Sequence, residues 1–421
     1  MSYRNLLWLT LSLSALTVQA EEFVMTNLKL FSGPGSPEQT ISIRVADGVI
    51  AEIGESVDTA GTVLIDGNGR YVAPGLIDSG STIGIEEVGL STNAEDQEYE
   101  GDAMSAAFDP LLAYNQNSSL IPSILNEGVT HVQVTPKAGK DVFAGLGGLV
   151  RLDEGLVPGA PRIVYAYLGE TGRRHAGNSR AAALQRLLQG LDEAAVYASK
   201  KKAYETNRLR QLAFSVADLE VLAALLAGDG KLAVYVDRAA EIEAVLSALA
   251  PYELDVVLLG GREAWQVADA ISAADVPVVI NVVDNRPSSF DRLGVRLDQA
   301  KLLHDAGIRF AFMTEDIYSE SRMLTQSAGV AVAYGLPWPA ALAAITSAPA
   351  AIWGLEDALG QLAAGKAATF ALWDGDPLEV TSQPEAIYIA GERVQMENRQ
   401  DMLRERYRTM SEGNQQPYVY R

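Results

Sequence analysis

The chain has no cysteine, which rules out disulfides, thiolate metal centres, cysteine nucleophiles and an acylated-cysteine lipid anchor together. Histidine is nearly as scarce: His131, His175 and His304 are the only three in 421 residues. A metal centre built on imidazole therefore has very little to draw on. Basic residues are also in deficit, with 33 Lys and Arg against 54 Asp and Glu and a formal net charge of -21. Nucleic acid and anionic lipid both require a basic face, so neither is expected as a partner. No Gly-x-Ser-x-Gly elbow is present for a serine nucleophile, and no Gly-rich dinucleotide fingerprint follows an early strand.

Long apolar runs are confined to the N-terminus. Arg4, the run Leu6 to Val18 and the small residues of Val18-Gln19-Ala20 before Glu21-Glu22 read as a signal peptide spanning 1–20, cleaved after Ala20. An uncleaved anchor is the competing reading, but the run is shorter than the roughly 20 residues a spanning helix needs. The mature chain is thus expected to be periplasmic or secreted, with no membrane insertion after cleavage. A cysteine-free exported protein suits a bacterial periplasm and must be stabilised by its core alone. At 48% hydrophobic content the chain can bury such a core.

The texture of the mature chain changes twice. Phe23 to Phe31, Ile41 to Val45, Val49 to Ile53 and Thr62 to Ile65 are short branched-residue runs, with Asp47-Gly48 as a hairpin signal. From about Ala73 to Ala350, strand-like runs alternate with helical stretches. The strands are placed at Gly128 to Val134, Ile163 to Leu168, Leu232 to Val236, Leu254 to Leu259, Val276 to Val283 and Ile308 to Met313, and Gly145-Leu146-Gly147-Gly148 is read as tight backbone between elements. Short strands return at Ala368 to Trp373 and Ala386 to Ile389, and a charged helix with a polar tail closes the chain. This predicts an α/β protein with a (β/α)8 TIM-type barrel over 73–359. A small β-sandwich is expected from 21–72 and 360–395, and the helix and tail from 396–421. A doubly wound open sheet is the runner-up.

Four stretches carry a more specific likeness: Asp47 to Gly54, Val72 to Asp78, Ile345 to Leu355, and Gly365 to Pro377 with its Gly365-Lys366-Ala367-Ala368-Thr369-Phe370-Ala371-Leu372-Trp373-Asp374-Gly375-Asp376-Pro377. In order and spacing the chain resembles the amidohydrolase superfamily, in particular its exported imidazolonepropionase-like branch. The resemblance implies a one- or two-metal centre that activates water to attack C-N bonds. Its ligands would be a His-x-His pair after Pro-Gly-Leu-Ile-Asp, often a carboxylated lysine, two further histidines and an aspartate.

Carried over residue by residue, that pattern breaks. The His-x-His positions fall on Gly80 and Thr82, and the lysine position falls on Tyr165. The strand expected to bring a histidine supplies Tyr235 and Asp237, and the next supplies Gly260. At the last strand, Thr314-Glu315-Asp316 stands where Thr-Asp would be usual, which leaves Glu315 as a carboxylate. Possible pocket-lining residues are Glu170, His175, Arg238, Asp284 and Arg286. Arg238 and Arg286 are expected either to meet a ligand carboxylate or to pair with Asp237 and Asp284 across the mouth. Acids near strand ends offer oxygen ligands for calcium or magnesium, but solvated acids are the plainer account in so acidic a chain.

No catalytic residue, metal or other cofactor is therefore predicted. The expectation is a non-catalytic partner subunit or small-molecule binder. It would form a homo-oligomer, or a hetero-oligomer with an active amidohydrolase paralogue. The alternative is an active hydrolase on amide, cyclic ureide or dipeptide C-N bonds with an altered metal site, such as one for zinc.

Overall fold

Asp47 and Gly48 have φ of 50° and 75°, the two positive values that a two-residue hairpin turn demands, and they join β2 (Gln39–Ala46) to β3 (Val49–Gly54). In the computed structural model, which describes residues 22–87, 94–208, 210–284, 286–315 and 321–408, this hairpin belongs to an eight-stranded sheet. The expected signal peptide, Asn285, Asp316 and the terminal tail beyond 408 lie outside the described residues.

The other members of that sheet are β1 (Phe23–Leu30), β4 (Val63–Asp66), β5 (Tyr71–Pro74), β15 (Phe370–Trp373), β16 (Pro384–Ile389) and β17 (Glu392–Arg393). Its order is β17-β16-β15-β5-β1-β2-β3, with β4 also on β1. Asn27, at φ 55°, interrupts the register of β1, which pairs with β4 before that point and with β5 after it. The expected pair of sheets is thus one hydrogen-bonded sheet that curls over its own core. Met25, Ile43, Ile50 and Phe370 are fully buried there, and Phe23 meets Tyr388 at 5.6 Å although their strands are not neighbours. The chain before β15 returns to β3, with Ile50 N–H donating to Lys366 O at 2.8 Å.

The second sheet contains β6 (Leu76–Ser81), β7 (Val129–Val134), β8 (Phe143–Arg151), β9 (Gly155–Leu156), β10 (Ile163–Tyr167), β11 (Lys231–Val236), β12 (Val256–Gly260), β13 (Val278–Ile280) and β14 (Phe310–Phe312). Eight of these run side by side from β6 to β14, with β9 appended to β8. Val256–Gly260 and Val278–Ile280 are buried throughout, as strands covered on both faces should be. One strand departs from the regular pattern: β8 is antiparallel to both β7 and β10. Only residues 135–142 separate it from β7, too few for a helical crossover, so the chain turns back. The glycines read as tight backbone at 145–148 lie within this strand.

The sheet closes at the seam between β6 and β14. Phe312 N–H donates to Ala344 O at 2.9 Å and Ile77 N–H to Ile345 O at 2.8 Å, so that segment bridges one end. Glu315 N–H donates to Gly80 O at 2.9 Å at the other end. Helices including Arg180–Glu205, Val216–Leu226 and Ala239–Leu249 cover the outside, and Ser179 and Ser215 cap the first two through hydrogen bonds from Ala182 N–H and Asp218 N–H. Ile163, Tyr165, Ala233, Val257, Leu259, Val279, Ala311 and Trp353 plug the barrel interior. Chemistry is left to the mouth at the C-terminal strand ends.

Candidate functional site

The end of β6 is buried from Leu76 to Ser81. Asp78 has no exposed surface. Its Oδ1 accepts from Gly80 N–H at 3.2 Å and Thr314 N–H at 3.1 Å, and its Oδ2 accepts from Thr314 Oγ1 at 2.5 Å. Burial pushes its carboxyl up to about 6, opposed by these hydrogen bonds and one from Ser321. Asp78 is therefore a clasp across the seam. Ser81 Oγ and Ser321 Oγ extend it at 3.0 Å.

Of the two positions aligned with a His-x-His pair, Gly80 faces occupied space and Thr82 is held by a hydrogen bond. A Cβ on Gly80 would lie 3.2 Å from Met313 Cβ and 3.3 Å from Met313 Sδ. Thr82 Oγ1 donates to Glu86 Oε2 at 2.8 Å, and Lys137 Nζ approaches the same oxygen at 3.2 Å. Tyr165, at the lysine position, is buried and accepts from Gln133 Nε2 at 3.0 Å. Tyr235 stacks on Tyr167 with ring centroids 4.3 Å apart and planes at 11°, and its hydroxyl donates to Met313 Sδ at 3.6 Å. Burial raises all three phenols well above their ordinary range, which holds them as neutral hydroxyls.

The centre of the mouth's electrostatics is Arg262, 1% exposed. Its Nη2 donates to Asp284 Oδ2 at 2.9 Å and to Glu315 Oε2 at 2.8 Å, and its Nη1 lies 3.8 Å from Asp237 Oδ1. Its backbone N–H also donates to Asp237 Oδ1 at 3.3 Å. Burial alone would lower its pKa, but the three carboxylates overcome that and raise it further, so it stays charged at any accessible pH. Asp237 is pushed up to about 6, chiefly by burial and against the pull of Arg262. Arg292 Nη1 adds a second bond to Asp284 Oδ2 at 2.5 Å. Gly260 makes room for the cluster: at φ 82°, its Cβ would fall 2.5 Å from Asp237 Oδ1.

A cavity of about 600 Å³ opens above this layer. Thr82, Tyr167, Tyr235, Asp237 and Glu315 line it, with Glu98, Lys137, Glu170, Arg174, Asp291 and Arg292 among the charged groups around them.

The structure thus gathers Thr82, Tyr235, Asp237, Glu315 and Glu170 at one cavity, with Gly80, Gly260 and Asp284 just outside its lining. The other residues considered from sequence lie elsewhere. His175 ends the helix Gly169–His175 and is not part of the lining. Arg238 caps the helix Ala239–Leu249, and Arg286 is exposed. The pairing of Arg238 and Arg286 with Asp237 and Asp284 is corrected: Arg262 lies against both carboxylates and Arg292 against Asp284. His131 is buried in β7 beside Thr130 Oγ1 at 3.0 Å, and burial, with Arg151 nearby, lowers it to about 3. His304 is exposed on the helix Gln299–Asp305.

These residues do not fit a divalent metal in this arrangement. Among the described residues no three His, Asp or Glu side chains are grouped to hold one. The carboxylates that converge are already bonded to a guanidinium, which has no lone pair to give a metal and repels it.

The amidohydrolase family model matches residues 234–403. Amidohydrolase tasK of Hapsidospora irregularis is 22% identical over 364 residues, covering 78% of this chain and 37% of that protein, so the chain spans little more than a third of that relative's length. Among solved structures, an amidohydrolase from Thermotoga maritima MSB8 superposes with a TM-score of 0.79 at 22% identity, over 89% of this chain and 99% of the other. Molinate hydrolase superposes at 0.55 and 14% identity, over 96% and 100% of the two chains. The barrel, its curled sheet and these matches define a hydrolase-like α/β protein. The chain has the amidohydrolase fold, and its residues 234–403 match the amidohydrolase family model.

Proposed function

We propose that this protein is an exported, non-catalytic member of the amidohydrolase superfamily that has lost the metal centre and binds a small polar molecule at its barrel mouth. The observation that supports this most is Arg262, a buried cation set among Asp237, Asp284 and Glu315. A divalent metal lowers the pKa of bound water to about 7 and polarises a carbonyl. A guanidinium with a pKa above its already high ordinary value can neither release a proton nor accept an electron pair. The mouth keeps its shape and charge balance without a Lewis acid.

On this reading the chain acts in the periplasm or outside the cell, as a homo-oligomer or beside a metal-containing paralogue. Elemental analysis of the mature protein after equilibration with zinc, run with amidase and dipeptidase assays, tests the first part. The expected result is substoichiometric metal and no turnover above a zinc blank. Stoichiometric metal with turnover would support the alternative, a C-N bond hydrolase with an altered site, which draws on the likeness to working hydrolases. Co-purification from native extracts tests the second part, and a lone monomer would count against it.

A further inference from the structure

The cavity's lining carboxylates outnumber its lining cations. Thr82 Oγ1 donates to Glu86, Tyr167 Oη to Pro136 O at 2.9 Å and Tyr235 Oη to Met313 Sδ, so the hydroxyl protons of these three residues are directed into the protein. Two of the three lining cations are spent on carboxylates outside the lining, Lys137 on Glu86 and Arg292 on Asp284. The third, Arg174, lies 3.9 Å from Glu170 Oε1, beyond hydrogen-bond reach.

Against these stand five lining carboxylates: Glu98, Glu170, Asp237, Asp291 and Glu315. Asp291 is the most telling. Its side chain is 3% exposed, Oδ1 accepts from Arg180 Nη2 at 2.5 Å, and Oδ2 has no donor among the described residues. Glu170 Oε2 is likewise buried without a donor. Buried acceptors lacking protein partners are met by water, an ion or a bound group, and these two lie on residues that line the cavity. Glu98 forms no ion pair among the described residues.

We propose that the pocket binds a small organic cation, an amine or guanidinium compound, whose N–H groups reach Asp291 and Glu170 while its charge lies near the rings of Tyr167 and Tyr235. The cavity's volume is in the range of small-ligand sites, and tyrosine faces attract cations. The chain's surplus of acid would steer such a ligand toward it. This inference rests on the reading of the mouth as a metal-free binding site.

Isothermal titration of the mature full-length protein with agmatine, which carries both a guanidinium and an ammonium, tests it, with succinate as the anionic control. Saturable agmatine binding is expected, weakened by added salt, with none for succinate. Glu170→Gln should weaken it by about tenfold, the loss typical of one charge-assisted hydrogen bond. Asp291→Asn should weaken it as well, with folding checked by circular dichroism. Succinate binding in preference to agmatine, or no agmatine heat from metal-free folded protein, would overturn the inference while leaving the non-catalytic reading intact. Zinc-dependent turnover would overturn that reading and leave the cation preference measurable.

Discussion

Replacing Arg262 by methionine keeps most of a long side chain in its packed place and removes the charge that three carboxylates share. At 2% side-chain exposure the site is screened little by solvent, so the Asp284 and Glu315 bonds at 2.9 and 2.8 Å count as buried ion pairs. Removing one partner of such a pair leaves uncompensated buried charge and costs about 3–5 kcal/mol. The loss should depend on pH with a definite sign. Without Arg262, whose charge pulls it down, Asp237 rises beyond about 6, further above its ordinary 3.8. A carboxyl raised in the folded state contributes stability that is fully present below its unfolded pKa and lost as pH climbs through its folded pKa. The deficit of Arg262→Met should therefore be small near about pH 4 and full near about pH 8. Chemical denaturation followed by circular dichroism at both pH values measures it. A deficit below about 1 kcal/mol near pH 8, or one equal at both, would refute the assignment of Arg262 as the mouth's counter-ion. Adding Asp237→Asn, Asp284→Asn and Glu315→Gln should recover most of the loss, because the stranded charges go with the cation.

Placing histidines at 80 and 82 should not create a metal centre. Gly80→His meets Met313 at 3.2 Å and should cost about 1–3 kcal/mol, and elemental analysis of Gly80→His/Thr82→His after zinc loading should stay substoichiometric while Arg262 remains. Gly260→Ala places a methyl 2.5 Å from Asp237 Oδ1 at φ 82°, so thermal melts should show a loss of about 1–3 kcal/mol. Thr314→Val removes the hydroxyl that donates to Asp78 at 2.5 Å, raising a carboxyl already at about 6. The loss should be about 1–3 kcal/mol above pH 6 and should shrink as pH falls toward 4, measured by denaturation across that range.

Much of the fold was legible because its signals are local. Asp47-Gly48 announces a hairpin through the backbone freedom of two adjacent residues, and the apolar run Val256–Gly260 announces a covered strand by composition. Strand β8 was not legible, because its glycines serve close packing where turns usually place them. A Cβ at Gly145 would meet Phe108 O at 2.4 Å, and one at Gly147 would meet Val134 O at 2.3 Å. The seam was hidden for a related reason: Ile345 closes it through backbone atoms, which leave no trace in residue type. At the mouth, the family resemblance put Gly80, Thr82, Tyr165, Tyr235 and Gly260 at the positions where its ligands are expected. Arg262 could not be found that way, since it follows Gly260-Gly261 like any loop residue and its partners sit on three other strand ends. The only local hint was a charged residue directly after an apolar strand and two glycines.

On the proposed reading, the residues at the mouth bear on how such a barrel could keep its strand ends together without a metal. Inward-facing carboxylates at strand ends repel one another and resist burial, so removing a divalent ion alone would favour their protonation or an opening of the loops that carry them. Arg262 answers the charge, with Arg292 beside it, so two guanidinium groups face three carboxylates, one of which is itself raised to about 6. Met313 answers the volume where Gly80 has no side chain, and the stacked Tyr167 and Tyr235 cover the floor. An arginine held in cis differs from a metal in one respect that matters for function: it cannot be removed by a chelator or exchanged with solvent. The mouth's geometry should therefore be insensitive to metal supply, and any ligand it recognises would meet a preformed acceptor surface in place of an open coordination position.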